Sequence, residues 1–198
     1  MVKGRNREQS EKTRAALVYA ARELFAEKGF AGTGTEEVVE RAGVSRGALY
    51  HQFRDKKALF LAVFESVESD LTDRVAAAVA DATEPIEMMH RGCEAFLDIC
   101  QEPAIRRIAL IDAPSVVGWE VWREIDAKYG LGLARGVVAL AAEAGRIEPR
   151  FVDDISHLLL AALSEAAMVV AHAPEDESVR KRVGESLRWM IDRMLAAA

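Results

Sequence analysis

The chain has 198 residues, 51% of them apolar, and a formal net charge of −6. This length and composition suffice for one or two domains with a buried core and exclude a disordered chain. The two cysteines provide no disulfide framework and no N-terminal apolar segment follows the basic start, so we expect a cytoplasmic protein that is not secreted.

Charge is distributed unevenly along the chain. Residues 1–57 hold 12 Lys and Arg against 8 Asp and Glu, net +4, whereas residues 58–198 hold 14 against 24, net −10. A basic segment on an acidic chain is typical of a protein that turns one end toward a polyanion such as DNA. Five basic side chains precede any apolar periodicity: Lys3, Arg5, Arg7, Lys12 and Arg14. They predict a mobile arm over about residues 1–10 that follows the DNA backbone or minor groove, with a merely solvated tail as the alternative.

The first helix is predicted by apolar residues at positions i, i+3, i+4, i+7 and i+8, which begin at Leu17 and end at Phe25. Residues 33–53 then predict two short helices around a tight turn. Thr33 can cap the first of them, with Glu36 completing a capping box. Gly43 can end that helix in the left-handed conformation.

The second short helix is predicted to be capped by Ser45 and anchored inward by Leu49 and Phe53. This arrangement leaves four residues on or near its outer face: Arg46, Gly47, Tyr50 and His51. Their side chains suit the major groove, because an arginine can donate to guanine or phosphate, and tyrosine and histidine can contact a thymine methyl or the backbone. A glycine lets the helix approach the duplex closely.

Residues 29–60, GFAGTGTEEVVERAGVSRGALYHQFRDKKALF, resemble the DNA-binding domain of the tetracycline-repressor (TetR) family of bacterial transcription regulators. Gly34 stands where family members often have Thr or Ser, so a hydroxyl contact to phosphate would fall to Thr33 or Thr35. Lys56 would add a phosphate contact at the start of the fourth helix. The resemblance implies a homodimer, an all-helical ligand-binding body and release from an operator when a small molecule binds.

The rest of the chain is predicted to be helical throughout. A fourth helix, capped by Asp55, runs from about residue 56 into the seventies and joins the DNA-binding domain, residues 1–57, to a ligand-binding and dimerisation domain, residues 58–198. Glycine and proline punctuation predicts further helices near residues 85–101, 103–112, 118–128, 131–144, 152–172 and 175–196. The fold class is therefore all-α. The apolar stretch 158–171 falls short of the ~20 residues of a membrane span, so we predict a buried helix and no membrane partner.

A dimer interface is predicted on the last two helices, which can pair with their symmetry mates as a four-helix bundle. Its candidate residues are Ala161, Ala162, Ala166, Leu187, Met190, Ile191 and Met194. The alternative is that these apolar side chains fill the core of one chain.

An effector pocket is predicted in the middle of the body, for an apolar or amphipathic ligand. Its candidate residues are Phe96, Trp119, Trp122, Tyr129 and Met168, with His90 or His157 for polar orientation. Aromatic residues and methionines at helical spacing are also ordinary core residues, so this alternative stays open.

Other chemistry has weaker support. His90, Cys93 and Glu94 share a helical turn, but no paired Cys-x-x-Cys accompanies them, so we expect no metal and no cofactor. No nucleophile grouping has an interpretable spacing, so we expect no enzymatic activity. The sequence favours a repressor that binds a palindromic double-stranded DNA operator as a dimer. The alternative is an all-helical enzyme or small-molecule carrier with a vestigial DNA-binding head.

Overall fold

The computed structural model describes the backbone of residues 2–195 and the side chains of residues 7–195. Within these residues every regular element is a helix, as predicted. The elements are α1 (Val2–Gly32), α2 (Thr35–Ala42), α3 (Arg46–Gln52), α4 (Lys56–Val79), α5 (Pro85–Cys100), α6 (Pro103–Ile105), a π-helical segment (Arg106–Asp112), α7 (Ala113–Val117), α8 (Trp119–Glu143), a 3₁₀ turn (Pro149–Phe151), α9 (Val152–Ala171) and α10 (Glu177–Leu195).

Contacts divide the chain into two compact units, and the functional division at residue 57 stays a prediction. Unit 1 comprises residues 1–67 and 103–119, and unit 2 comprises residues 68–102 and 120–198. The boundary between them falls within α4. The predicted boundary was placed at the end of the DNA-binding motif. Residues 103–119 pack on α1 through contacts between parts of the chain that are distant in sequence, which a local pattern does not show.

Unit 1 is built around aromatic side chains. Phe25, Phe60 and Phe64 are fully buried, and the rings of Phe25 and Phe60 meet edge to face with centroids 5.1 Å apart. Such pairs add about 0.5–1.5 kcal/mol to the stabilisation from burial. These rings join α1 to α4, and α1 also packs against the two short helices α2 and α3.

The end of α1 is held by the segment that follows α6. Gly29 has φ +72°, and the Phe30 N–H donates to the Asp112 carboxylate at 2.7 Å. The Arg107 guanidinium occupies the space in which a Cβ at Gly29 would lie. The left-handed backbone conformation favours glycine at this bend, whereas the flexible Arg107 side chain could move away from a Cβ.

Unit 2 has an apolar core in which α5, α9 and α10 pack together. Leu97, Val138 and Ile191 are fully buried, and Trp122 is 1% exposed. A Cβ at Gly130 would lie 2.8 Å from a methyl group of Leu160, so the missing side chain leaves room for the Leu160 side chain.

Two predicted helix boundaries are wrong. Gly130 does not separate two helices, because α8 runs through it to Glu143; one glycine costs a helix only about 1 kcal/mol, and packing overrides it. Pro114 does not end the helical path either. The wider turns of the π-helical segment immediately precede it, and Pro114 occupies the first turn of α7, where its missing N–H is tolerated.

One described helical stretch, Pro149–Ala171, reaches 23 residues with mean hydropathy 1.5 and could cross a membrane by length and composition alone. This stretch consists of the 3₁₀ turn and α9, and it is longer than the apolar run of residues 158–171 that the sequence analysis considered. In the fold, α9 packs against α5 and α10. Leu159, Leu160 and Val170 of α9 are buried in this packing, whereas Leu158 and Val169 are exposed.

Candidate functional site

The turn between α2 and α3 is built as the sequence predicts. Gly43 has φ +63° and ends α2, and its N–H donates to the Glu40 carbonyl at 3.1 Å. Ser45 caps α3, since its Oγ accepts a hydrogen bond from the Ala48 N–H at 3.2 Å. Leu49 is fully buried and Phe53 is 5% exposed. These contacts fix α3 on unit 1 at both ends.

Arg46, Gly47, Tyr50 and His51 are exposed together on α3, and we call these four residues the recognition face. The Arg46 side chain is 70% exposed and its Nη1 lies 3.2 Å from Glu36 Oε1. Its guanidinium also lies 5.6 Å from the centre of the Tyr50 ring. An exposed ion pair contributes about 0–1 kcal/mol, so Arg46 can exchange Glu36 for a phosphate or a guanine at little cost.

Gly47 has no packing reason to be a glycine. A Cβ built there would meet nothing closer than Ser45 Oγ at 3.9 Å, which is ordinary van der Waals contact. Its backbone is helical, so no unusual conformation demands glycine. The absent side chain therefore clears space only on the outside of the protein.

Thr33 is not placed for the predicted contact with phosphate. It is 2% exposed, and its hydroxyl donates to the carbonyls of Gly29 at 2.8 Å and Leu24 at 3.2 Å. It does not cap α2 either. Gly34 is the N-cap residue, and its N–H donates to Glu37 Oε2 at 3.2 Å, so Glu37 takes the part that we assigned to Glu36. The capping interaction is shifted by one residue from the prediction.

Thr35 is half-buried at the start of α2, and its hydroxyl donates to Glu36 Oε2 at 3.4 Å. Because the Thr33 hydroxyl is buried and the Thr35 hydroxyl is not, Thr35 is the more accessible of the two to a phosphate. Of the two predicted hydroxyl contacts, Thr33 and Thr35, the Thr35 side chain is the more exposed, and its contact with phosphate stays a prediction.

Lys56 also faces inward. Its Nζ donates to the carbonyls of Phe30 at 2.8 Å and Thr33 at 2.9 Å, and it lies 4.3 Å from the centre of the Phe30 ring. The ammonium thus joins the start of α4 to the end of α1. Lys57, the next residue, is exposed and is the better placed of the two for a phosphate.

The helix α1 begins at Val2, within the stretch for which the sequence predicts a mobile arm, and the mobility of that stretch stays a prediction. Arg7 pairs with Glu11 at 3.2 Å and Lys12 pairs with Glu8 at 2.7 Å, both on the helix surface. The Arg14 guanidinium lies 5.2 Å from the centre of the Phe53 ring. The side chains of Lys3 and Arg5 lie outside the described residues.

Unit 2 contains a cavity between α4, α5, α8 and α9, with about 680 Å³ of space that includes its opening to solvent. Of the predicted pocket residues, only Phe96 lines it. The wall is otherwise mainly apolar, with Leu71, Val75, Met88, Met89, Leu133, Val137, Leu159, Leu160 and Leu163, and it includes the carboxyl groups of Glu68 and Asp126.

The other predicted pocket residues lie elsewhere. Trp122 is buried in the core, whereas Trp119 is 57% exposed. Tyr129 and Met168 are half-buried and His157 is exposed, and none of these residues lines the cavity. The remaining candidate, His90, is half-buried with Nε2 2.8 Å from Asp192 Oδ1 and Nδ1 3.1 Å from Arg188 Nη1. The sequence suggested a pocket lined by aromatic side chains. Which face of each helix borders the cavity is decided by tertiary packing, and most of these side chains lie on other faces.

Glu68 and Asp126 were missed by the sequence analysis, although a signal was present. Glu68 follows Phe64 by four residues and precedes Leu71 by three, so it interrupts the apolar stripe of α4. Burial and the nearby charge of Asp126 raise the pKa of Glu68 to about 8. Burial also raises the pKa of Asp126, against the lowering effects of the Ser164 hydroxyl and the Arg123 guanidinium.

The predicted dimer residues divide into buried and half-buried groups. Ala166, Leu187 and Ile191 are buried within unit 2, which supports the alternative of a core role for these three. The half-buried candidates are Ala161, Ala162, Met190 and Met194. The apolar side chains that the structure exposes on α9 and α10 are Leu158 (69%), Val169 (41%) and Trp189 (63%).

The thiols are buried. Burial raises the pKa of Cys93 to about 12 and that of Cys100 well above its usual value, so neither thiol is reactive near neutral pH. Among residues 7–195, no three His, Cys, Asp or Glu side chains come together as metal ligands.

An exposed helix braced in a helix-turn-helix, on a chain whose other unit is helical, defines a DNA-binding transcription regulator. Residues 17–63 match the family model for bacterial regulatory proteins of the tetR family, and residues 86–194 match that for the tetracyclin repressor-like C-terminal domain. The chain belongs to the TetR family of transcription regulators, as its sequence predicts.

Individual relatives agree with this assignment. The transposon Tn10 TetC protein of Escherichia coli is 26% identical over 157 residues, which cover 79% of each chain. The transcriptional activator FasR of Mycolicibacterium smegmatis is 33% identical over 96 residues, 48% of this chain and 44% of that one. The crystal structure of a TetR-family regulator from Pectobacterium atrosepticum superimposes with a TM-score of 0.84 and 28% identity, covering 96% of this chain and 98% of that one.

Proposed function

We propose that this regulator is a cytoplasmic repressor that binds a palindromic operator as a homodimer and is released by a small-molecule effector. The observation that carries the proposal is the recognition face. Its four residues stand clear of the protein on a helix that is capped at Ser45 and anchored by Leu49. A surface that needs none of these residues for its own packing is suited to contact with base edges.

The recognition face supports direct readout of sequence. Arg46 can donate two parallel hydrogen bonds to guanine, and each good contact of this kind discriminates by about 1–3 kcal/mol. Tyr50, 44% exposed, can contact a thymine methyl or a phosphate, and His51 can donate to the backbone. Gly47 lets the helix axis lie close to the groove floor. Thr35 and Ser45 can supply hydroxyl contacts to phosphates, with Lys57 as the cationic contact in place of Lys56.

A homodimer is supported by the exposed apolar side chains of the last two helices. Leu158, Ala162 and Val169 fall on one face of α9, because their spacings of four and eleven residues return to nearly the same angle. Exposed apolar patches of this kind mark interaction sites. Two symmetry-related recognition faces about 34–36 Å apart would read successive half-sites of a palindrome.

The cavity of unit 2 is proposed as the effector site. Its apolar wall and two carboxyl groups have the character of a small-molecule pocket, mostly apolar with a few polar groups. An effector can release the protein from DNA only if it binds more tightly to the conformation that does not fit the operator. Coupling is reciprocal, so the operator must weaken effector binding by the same factor.

That this protein represses transcription, and does not activate it, is itself proposed, because the relative FasR is named as an activator. Selection of bound fragments from genomic DNA at stated salt tests the central part. We expect an enriched palindrome with a half-site spacing of about one helical turn. No enrichment of any sequence would contradict the proposal. If a small molecule still bound under that outcome, the alternative of a carrier with a vestigial head would be favoured.

A further inference from the structure

The cavity of unit 2 contains two carboxyl groups in an otherwise mainly apolar wall. Glu68 comes from α4 and Asp126 from α8. Both are largely withdrawn from water, with 7% and 6% of their surface exposed. A charge in such surroundings is costly unless it is paired and hydrogen-bonded.

The two carboxyl groups differ in what surrounds them. Asp126 accepts hydrogen bonds from the Ser164 hydroxyl at 3.1 Å and from Arg123 Nη1 at 3.0 Å. Among residues 7–195, no hydrogen-bond donor and no cation reaches the carboxyl group of Glu68. The positive charge of Arg123 is already balanced by Asp126. Glu68 is therefore the carboxyl group at the wall of the cavity that has no partner for its charge when it ionises.

This imbalance decides which ligands the cavity favours. A carboxylate ligand would place a second negative charge near the Asp126 carboxylate and would find no cation at Glu68, and like charges in surroundings of low polarity repel strongly. A neutral ligand would leave Glu68 as it is, protonated at neutral pH because its pKa lies at about 8. A ligand with one positive charge would supply the missing partner and would bring its own hydrogen-bond donors.

We propose that the cavity binds a monocationic apolar amine, with the ammonium group beside the Glu68 carboxylate and the apolar part against side chains such as Val75, Phe96 and Leu163. This inference rests on the proposed effector role of the cavity and names the chemical class of the effector. Glu68 is the residue that selects for charge. The apolar wall selects for the hydrophobic body of the ligand.

Three probes with the same chain and different head groups test the proposal: octylamine, octanol and octanoate. Isothermal titration calorimetry on the full chain should find octylamine bound at least about tenfold more tightly than octanol, the effect of one hydrogen-bonded charge pair. Octanoate should bind more weakly than octanol. Equal affinity for octylamine and octanol, or no binding of octylamine, would overturn the proposal.

The variant Glu68→Gln keeps the shape of the side chain and removes its ability to become negatively charged beside an ammonium group. Because Glu68 carries a proton at neutral pH in the unliganded protein, glutamine resembles its resting form and the fold should be retained, which circular dichroism checks. We expect octylamine affinity to fall at least about tenfold while octanol affinity is unchanged. The matched control is Asp73→Asn, the same charge change at an exposed position on α4, which should leave both affinities unchanged. An unchanged octylamine affinity in Glu68→Gln would overturn the assignment.

Proton release provides a second readout. The charged and titratable groups around Glu68 are Asp126 with its partner Arg123 on α8, and the Cys100 thiol on α5. Since the ammonium binds the ionised form of Glu68, octylamine affinity should rise between about pH 6 and about pH 8, and the dependence should flatten above that range. In Glu68→Gln this rise should be lost. A wild-type affinity that does not change over this range would contradict the pairing.

Operator binding separates this inference from the proposed function. If octylamine binds through Glu68 and lowers operator affinity, both proposals are supported. If it binds through Glu68 and leaves operator affinity unchanged, the amine site is supported and the effector role of the cavity is refuted. If octanoate or octanol releases the operator while octylamine does not bind, the effector role is supported and the amine site is refuted.

Discussion

Replacing Lys56 with methionine should destabilise the fold, although a lysine at the start of α4 first suggested a DNA contact. The Lys56 ammonium donates to the carbonyls of Phe30 and Thr33 and lies against the Phe30 ring. Methionine keeps most of the apolar stem and removes the charge and the donors. The substitution therefore isolates the contacts that join α4 to the end of α1.

The expected loss follows from these three contacts. A hydrogen bond from a charged donor contributes about 1.5–3 kcal/mol, and a partly exposed cation–π contact about 0.5–1 kcal/mol. Water can reach the half-buried carbonyls after the substitution and offsets part of the loss. We expect the free energy of unfolding to fall by about 2–4 kcal/mol, and the melting temperature by about 6–12 °C for a chain of this length.

Denaturant unfolding followed by circular dichroism measures the loss, and fluorescence anisotropy with operator DNA over a range of salt concentrations measures the contact with phosphate. The matched control is Lys57→Met, in which the neighbouring exposed lysine is removed. We expect this control to lose less than about 0.5 kcal/mol of stability and to lower the salt slope of DNA binding by about one. The reverse pattern, a stable Lys56→Met protein with a lower salt slope, would refute the bracing role of Lys56.

Three further substitutions have separable outcomes. Gly47→Ala should stabilise α3 by up to about 0.5–1 kcal/mol in denaturant unfolding and weaken operator binding in anisotropy, because its Cβ meets only the groove; equal or tighter operator binding would argue against close approach. Thr33→Val should lose about 1–2 kcal/mol of stability from its buried hydroxyl and keep its operator affinity well below the melting temperature; a tenfold loss of that affinity would restore Thr33 as a DNA contact. Leu158→Lys should shift the mass in light scattering from dimer toward monomer, whereas Leu140→Lys on α8 should not; a dimer that persists in the first variant would remove this face from the interface.

The helix-turn-helix could be predicted from the sequence because its determinants are local. Gly43 ends one helix through its own backbone conformation, and Ser45 caps the next through a hydrogen bond three residues along the chain. Leu49 and Phe53 lie four residues apart, which fixes their common face without any knowledge of the partner helices. Such features depend on a few neighbouring residues and are visible in a linear chain.

The cavity could not be predicted in the same way because its wall is a tertiary property. Trp119 and Trp122 are equally apolar and three residues apart, yet one is exposed and the other buried. Thr33 and Lys56 illustrate the same limit at the DNA-binding end. Both are polar and lie beside the motif. At the bend around Gly29, however, the Gly29 carbonyl accepts a hydrogen bond from the Thr33 hydroxyl, and the Phe30 carbonyl accepts one from the Lys56 ammonium. The contacts of Thr33 span four and nine residues and those of Lys56 span 26 and 23, so the direction of each side chain depends on how the end of α1 bends.

The relative affinity for the selected operator and for a random duplex, at one fixed salt concentration, tests the central claim that the recognition face reads base sequence. We expect the wild-type protein to prefer its operator by about 10³-fold or more. Arg46→Ala and Tyr50→Ala should each lower this preference by about tenfold, because they remove contacts to base edges. A wild-type protein without preference, or variants that lose equal affinity for both duplexes, would contradict the claim.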